Sequence, residues 1–275
     1  MNTQVVIIPV TLIIVLQRLG YQVMSGGVQC HSECYNGRVT MSVNITWPFT
    51  RLCGLQEPAS VFFSLLNLLA HVVNVRRFRL SVPPSAPLYW LWCTHAVVCI
   101  NAWIWSVVFH ARDTPTTEKL DYFCAFSMVL FSLIALIVRM LGRRYGYLRQ
   151  LVCMGGITFF IFHVWYLTKA RFDYGYNMKV NVCVGIINGC GWVAWCIPRI
   201  HTRSYVRWCG YTVLAAMVTM LLEVMDFPPL LWTLDAHALW HLSTAPLPFM
   251  WYRFLESDCL YLLQQSSRPD YKKHI

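Results

Sequence analysis

The residues with the most chemical capacity stand near the end of the chain, in Asp235-Ala-His-Ala-Leu-Trp-His241. His237 and His241 are four apart, so on a helix both imidazoles project from one face, one turn apart. Two imidazoles at that spacing can hold one metal ion. The same spacing recurs at Ser106 and His110 inside another apolar segment, and Asp121 opens the segment after it. Three imidazoles with an open fourth position are the donor set of a catalytic zinc site. Zinc lowers the pKa of its water to about 7. In that scheme His110, His237 and His241 are the ligands. Asp121 accepts the proton as general base, and Ser106 donates to a developing oxyanion. The expected reaction is hydrolysis of an ester or amide carbonyl.

The elements that must bring these residues together are membrane helices. The chain has 275 residues, 57% hydrophobic and 12% charged, against about 25% charged in a soluble domain. Its mean hydropathy is +0.49. Apolar segments at roughly 57–75, 88–110, 121–141, 148–168, 178–198, 207–225 and 236–255 read as seven spans. The fold expected is an all-α membrane protein, a seven-transmembrane helix bundle filling 57–255. Nothing is left for a large soluble domain. The net charge of +10 does not argue for nucleic acid. The basic residues come in twos and threes between apolar segments, as in cytosolic loops, and do not form one patch. The 12 Trp and 14 Tyr suit interfacial belts.

Loop charge sets the expected orientation. Arg76, Arg77 and Arg79 follow the first span, Arg139, Arg143, Arg144 and Arg149 surround the loop after the third, and Arg199, Arg203 and Arg207 follow the fifth. Alternate loops carry fewer. The N-terminus is therefore read as lumenal and the C-terminus as cytosolic. Under that parity Ser106, His110, Asp121, His237 and His241 all fall in the lumenal third of the bilayer, where ionisable groups are costly and usually functional.

Around the spans, residues 1–25 read as a signal peptide, with an uncleaved anchor as the alternative. Residues 26–56 read as a short lumenal segment with a glycosylation acceptor at Asn44. Cys30, Cys34 and Cys53 there allow one disulfide, while the other nine cysteines are expected to pack as small apolar groups. Residues 256–275 read as a cytosolic tail. Its Lys272-Lys273 resembles a dilysine retrieval signal, implying recognition by coat protein. His71, His95 and His163 are expected to pack, and Asn67 and Asn74 to bridge helices. Asp235 is expected to cap its helix or to sit behind a histidine ligand. Glu57 suits the positive end of the first span and is also a weak candidate to support the ligands or touch substrate. Asp173, in Arg171-Phe-Asp-Tyr-Gly-Tyr-Asn177, and Asp226, in Asp226-Phe-Pro-Pro229, are weaker candidates to support the ligands or touch substrate.

Several uninterrupted blocks carry a resemblance: Gln56-Glu-Pro-Ala-Ser60, Asn101-Ala-Trp-Ile-Trp-Ser-Val-Val-Phe-His-Ala-Arg-Asp113, Glu118-Lys-Leu-Asp-Tyr-Phe-Cys124, the two loop motifs just quoted, and Leu234-Asp-Ala-His-Ala-Leu-Trp-His241. Over about residues 47–265 the chain resembles the post-GPI attachment to proteins factor three family. That family belongs to a seven-span hydrolase superfamily with the alkaline ceramidases and the adiponectin and progestin receptors. The resemblance implies a Golgi membrane enzyme that removes the sn-2 unsaturated acyl chain of GPI-anchored proteins, and the Lys272-Lys273 tail adds cycling with the endoplasmic reticulum. It implies Zn2+ on His110, His237 and His241, with Ser106 and Asp121 beside it. Family members carry a longer cysteine-rich lumenal segment than this chain does. The alternatives are a ceramidase-like lipid amidase and a seven-span receptor or scaffold without hydrolysis. A transporter is disfavoured, because no inverted repeat is visible.

Overall fold

A computed structural model describes residues 54–142, 144–169, 172–225, 227 and 233–267, with the backbone of two strands earlier in the chain. The expected signal peptide, Asn44, Cys53, Arg143, Arg171, Asp226 and Lys272-Lys273 lie outside the described residues. The chain divides into two units, 1–48 and 49–275.

In the first unit, β1 (Cys30–Tyr35) and β2 (Arg38–Val43) form an antiparallel pair, with Cys30 opposite Val43 and Tyr35 opposite Arg38. This hairpin departs from the all-α reading. Cys30 and Cys34 lie on β1, four residues apart.

The second unit is helical: α1 (Pro58–Ser81), α2 (Tyr89–Ala111), α3 (Pro115–Leu141), α4 (Gly146–Lys169), α5 (Tyr174–Cys196), α6 (Val206–Met225), α7 (Ala236–Thr244) and α8 (Leu247–Ser266). Each of the seven apolar segments expected from the sequence is helical. The helices α1 to α4 are long and apolar enough to cross a membrane, and α6 has a shorter apolar stretch, Val206–Leu222. Lys179 and three asparagines lower the hydropathy of α5, as Arg253, Glu256 and Asp258 lower that of α8.

Local chemistry fixes the helix starts. Thr114 and Thr117 form a reciprocal capping box ahead of Pro115, each hydroxyl accepting from the other's backbone N–H. Asp173 caps α5 by accepting from the Tyr176 N–H at 2.9 Å, and Asp235 caps α7 by accepting from the Ala238 N–H at 2.7 Å.

Packing order closes a ring. α1 touches α2, α2 touches α3, α3 touches α5, α5 touches α6, and α6 touches α7 and α8, which return to α1. α4 leans on α3 outside the ring and buries little more than His163 and Leu167. The main core is aromatic: Trp92, Trp192, Trp195, Trp251 and Phe254 meet edge to face or tilted, with centroids 5.2–6.4 Å apart.

Two features of the last span differ from the sequence reading, besides α1 ending six residues later and α3 starting six residues earlier than expected. The last span is broken between Thr244 and Leu247, where Pro246 caps α8, because proline supplies no N–H to continue the ladder. The helix also runs past 255 to Ser266, into the residues read as a tail. Asp258 is the reason: it is fully buried and accepts two hydrogen bonds from Arg139, at 2.6 and 2.7 Å, and one from the Tyr205 hydroxyl at 3.0 Å. A bidentate guanidinium pair of this kind belongs to the body of a bundle.

Candidate metal centre

α2 delivers His110 in its last turn, and α7 delivers His237 and His241 on one face. Two devices fix that meeting. The segment before α1 is pinned to the end of α2, because the Gln56 N–H donates to the Ala111 carbonyl at 3.3 Å and the Glu57 N–H to the His110 carbonyl at 3.1 Å. The Gln56 side-chain oxygen also accepts from the Asp113 N–H. On the other side, Asn67 of α1 donates to the His241 carbonyl at 2.7 Å, which ties α7 to α1.

The result is a triangle of ring nitrogens. His110 Nε2 lies 3.3 Å from His237 Nε2 and 3.2 Å from His241 Nε2, and the last two are 2.9 Å apart. His110 and His241 are buried, and His237 is half-buried. Trp103 packs edge-on to His241 with centroids 5.3 Å apart, and Trp240 lies 5.6 Å from His237. The indoles keep the cluster in apolar surroundings.

The protonation arithmetic points to a cation. His110 Nδ1 is 2.6 Å from Glu57 Oε2. A carboxylate accepts only, so Nδ1 carries the proton and Nε2 presents a bare lone pair. The triangle then has three contacts to satisfy. If His237 and His241 both donate to His110, their own contact sets hydrogen against hydrogen. If one donates to the other, another contact sets lone pair against lone pair. No distribution of protons among neutral rings satisfies all three, whereas one shared cation does. Nitrogens each bound at about 2.0–2.1 Å to one tetrahedral ion stand roughly 3.3 Å apart, close to the spacing found. His110, His237 and His241 are a group that could hold a metal ion.

Glu57, a weak candidate in the sequence to support a ligand, lies directly against His110. It occupies the cap position of α1 but makes no side-chain cap bond, reaching His110 instead. Burial works to raise its pKa. The hydrogen bond from His110 and the electrostatic influence of the His110 and His237 rings outweigh that and hold the carboxyl below the usual carboxylate range. A ligand's second nitrogen bound to a carboxylate is the usual way a metal site orients an imidazole.

The other expected residues are placed as follows. Ser106 is buried one turn before His110, and its Oγ is 3.0 Å from Ser64 Oγ on α1. Asp121 lies in the second turn of α3, partly exposed, and is not a member of the three-histidine group. Asp235 caps α7 directly before the pair. Asp173 caps α5, so its side chain is engaged with backbone. His71, His95 and His163 are buried among aromatic rings of the bundle. Asn67 does bridge helices, but Asn74 bonds back to Ala70 of its own helix at 2.7 Å. The nine cysteines of the helices are free thiols. Ser64 and the Asn67 contact with His241 were not anticipated. Their signal in the sequence is the i, i+4, i+7 set of small or polar groups, Ser60, Ser64 and Asn67, on one face of α1.

The fold and site together define a class: an all-helical bundle, built largely of helices able to cross a membrane, with a three-histidine candidate metal centre at one end. Comparison with known sequences makes this specific. The Per1-like family matches residues 41–259, and the chain belongs to that family. The Cricetulus griseus protein named GPI-specific phospholipase A2-like PGAP3 is 46% identical over 220 residues, covering 80% of this chain and 69% of that one. The human protein of the same name is 46% identical with the same coverage. The Drosophila melanogaster protein named Post-GPI attachment to proteins factor 3 is 46% identical over 210 residues, covering 76% and 64%.

Proposed function

We propose that this chain remodels GPI anchors by zinc-dependent hydrolysis of the sn-2 acyl ester of GPI-anchored proteins. The convergence of three Nε2 atoms, in a chain similar to proteins named GPI-specific phospholipase A2-like, carries the reading. Zinc bound there would supply Lewis acidity and make water nucleophilic near neutral pH.

The remaining work falls to the chain's own groups. Glu57 fixes the tautomer and angle of His110. Asp121 accepts the proton of the attacking water, and Ser106 donates its hydroxyl toward the carbonyl oxygen, with Ser64 beside it to hold the hydroxyl's direction. Water adds to the acyl carbon, the ester C–O bond breaks, and the products are a fatty acid and a lysolipid anchor. Trp103 and Trp240 limit water on the inner side of the cluster. Seven spans with a lumenal N-terminus put this end of the bundle at the lumenal leaflet, where a GPI anchor resides. The loop arginines support that orientation. A Golgi location, with retrieval through Lys272-Lys273, fits the same substrate.

The test is complementation. In cells lacking this remodelling, the native chain restores exchange of the unsaturated GPI acyl chain and His237→Ala does not. Remodelling by the variant at the native level overturns the proposal. Purified protein given labelled GPI and labelled ceramide side by side is expected to cleave the ester and spare the amide.

A further inference from the structure

The opposite end of the bundle holds a cavity of about 510 Å3. α2 runs from Tyr89 in the cavity wall to His110 in the metal centre, so the two are about 30 Å apart. Four arginines line the cavity: Arg139 near the end of α3, Arg149 in the first turn of α4, and Arg199 and Arg203 between α5 and α6. Among the described residues no aspartate or glutamate lines it. Arg139 is neutralised by Asp258 from behind. Arg149, Arg199 and Arg203 have no carboxylate within ion-pair distance among the described residues.

Two of these three guanidiniums are held in place. Arg199 donates to the Trp195 carbonyl at 2.7 Å and lies 4.9 Å from the centroid of that indole. Arg203 lies 4.4 Å from the Tyr261 ring centroid. Stacking fixes each plane and leaves most of its five N–H donors unused. All three arginines are half-buried. Burial, followed by the charges of Arg203 and Arg139, makes the Arg199 cation less favourable than it would be in water. Uncompensated cations gathered in one concavity are stable together when an anion joins them, and the planar fork of arginine matches phosphate oxygens in pairs.

The rim indicates how the anion arrives. Trp90 and Met140 line the cavity and are 69% and 56% exposed. Nearby on α4, Tyr147 is 73% exposed. Exposed aromatic rings at the ends of membrane helices sit at headgroup level, and basic pockets between helices at that depth accept phosphorylated headgroups. We propose that the Arg149–Arg199–Arg203 cavity binds the phosphate of an anionic lipid headgroup, at the face of the bundle opposite the histidines. This inference does not depend on the hydrolase reading.

The test uses the purified full chain in neutral-detergent micelles. Binding of a short-chain phosphoinositide is measured beside phosphatidylcholine of the same chain length and beside inorganic phosphate. The expected result is saturable binding of the phosphoinositide and none of phosphatidylcholine. Each lost charge-assisted contact weakens affinity about tenfold, so Arg149→Gln binds about tenfold more weakly and Arg199→Gln/Arg203→Gln about a hundredfold. Arg149→Gln touches no side-chain hydrogen bond of the fold, which keeps the test valid if the double variant misfolds. Arg77→Gln, on α1 outside the cavity, is expected to bind normally. Arginine-dependent binding of inorganic phosphate without the lipid keeps the phosphate site and overturns its lipid source. Equal binding of phosphatidylcholine, or binding unchanged in both cavity variants, overturns the proposal.

Discussion

At one end of α2, three imidazole nitrogens face one another with no arrangement of protons that satisfies them all. At the other end, about 30 Å away, four guanidiniums line a cavity with one carboxylate, Asp258, behind them. The first cluster is rich in lone pairs and calls for a cation. The second is rich in N–H donors and calls for an anion. Both are built on helix ends, where a side chain can be partly desolvated while its backbone stays hydrogen-bonded. They differ in how they are secured. The histidine end is held by individual hydrogen bonds, among them those from Asn67 to the His241 carbonyl and from His110 to Glu57. The arginine end is anchored by a buried bidentate ion pair and an aromatic core. The bundle therefore has a stiff end that sets the fold and a lightly pinned end that can adjust around an ion and a substrate.

This contrast can be broken experimentally at several strengths. Asp258→Leu leaves the Arg139 guanidinium and the Tyr205 hydroxyl without their buried acceptor. Breaking such a pair from one side costs about 3–5 kcal/mol, visible as a large fall in melting temperature. Arg139→Met combined with Asp258→Leu is expected to recover most of that loss, because two apolar groups replace the pair. A double variant no more stable than Asp258→Leu would show that the ion pair is not the source of the stiffness.

Glu57→Gln acts at the other end and leaves the melting temperature of the metal-free protein nearly unchanged. It removes the charge that fixes His110, so metal affinity is expected to fall about 10–100-fold in competition with a chelator. An unaltered affinity would separate Glu57 from the centre. Asn67→Leu should have the smallest effect, about 1 kcal/mol of stability. The His241 carbonyl keeps a second donor, the Thr244 hydroxyl at 3.0 Å. A loss as large as that of Asp258→Leu would remove the distinction between the two ends.

What the sequence made legible follows the same division. The histidine cluster was readable because its parts are local motifs, two four-residue spacings, and because helix parity places their ends on one side. The helices were readable from hydropathy, to within a turn or so at most ends. Glu57 was visible as a helix start and a weak supporting candidate, but its bond to His110 spans 53 positions and has no local signature. The Arg139–Asp258 pair spans 119 positions, and Asp258 lies beside Glu256 and Ser257, in residues that read as a polar tail. The break before α8 did have a signal, the Ala245-Pro-Leu-Pro248 run, which periodicity alone passed over. The β1–β2 hairpin did have a signal, Asn36-Gly37 followed by the alternating Arg38-Val-Thr-Met-Ser-Val43, which the reading by hydropathy passed over.

The account's centre is that His110, His237 and His241 share one metal ion. Elemental analysis of the purified full chain, beside a variant with all three histidines replaced by alanine, measures this directly. The expected result is about one zinc per chain in the native protein and none in the variant. A native protein that holds no metal after purification and reconstitution, or a variant that keeps it in full, would contradict the account.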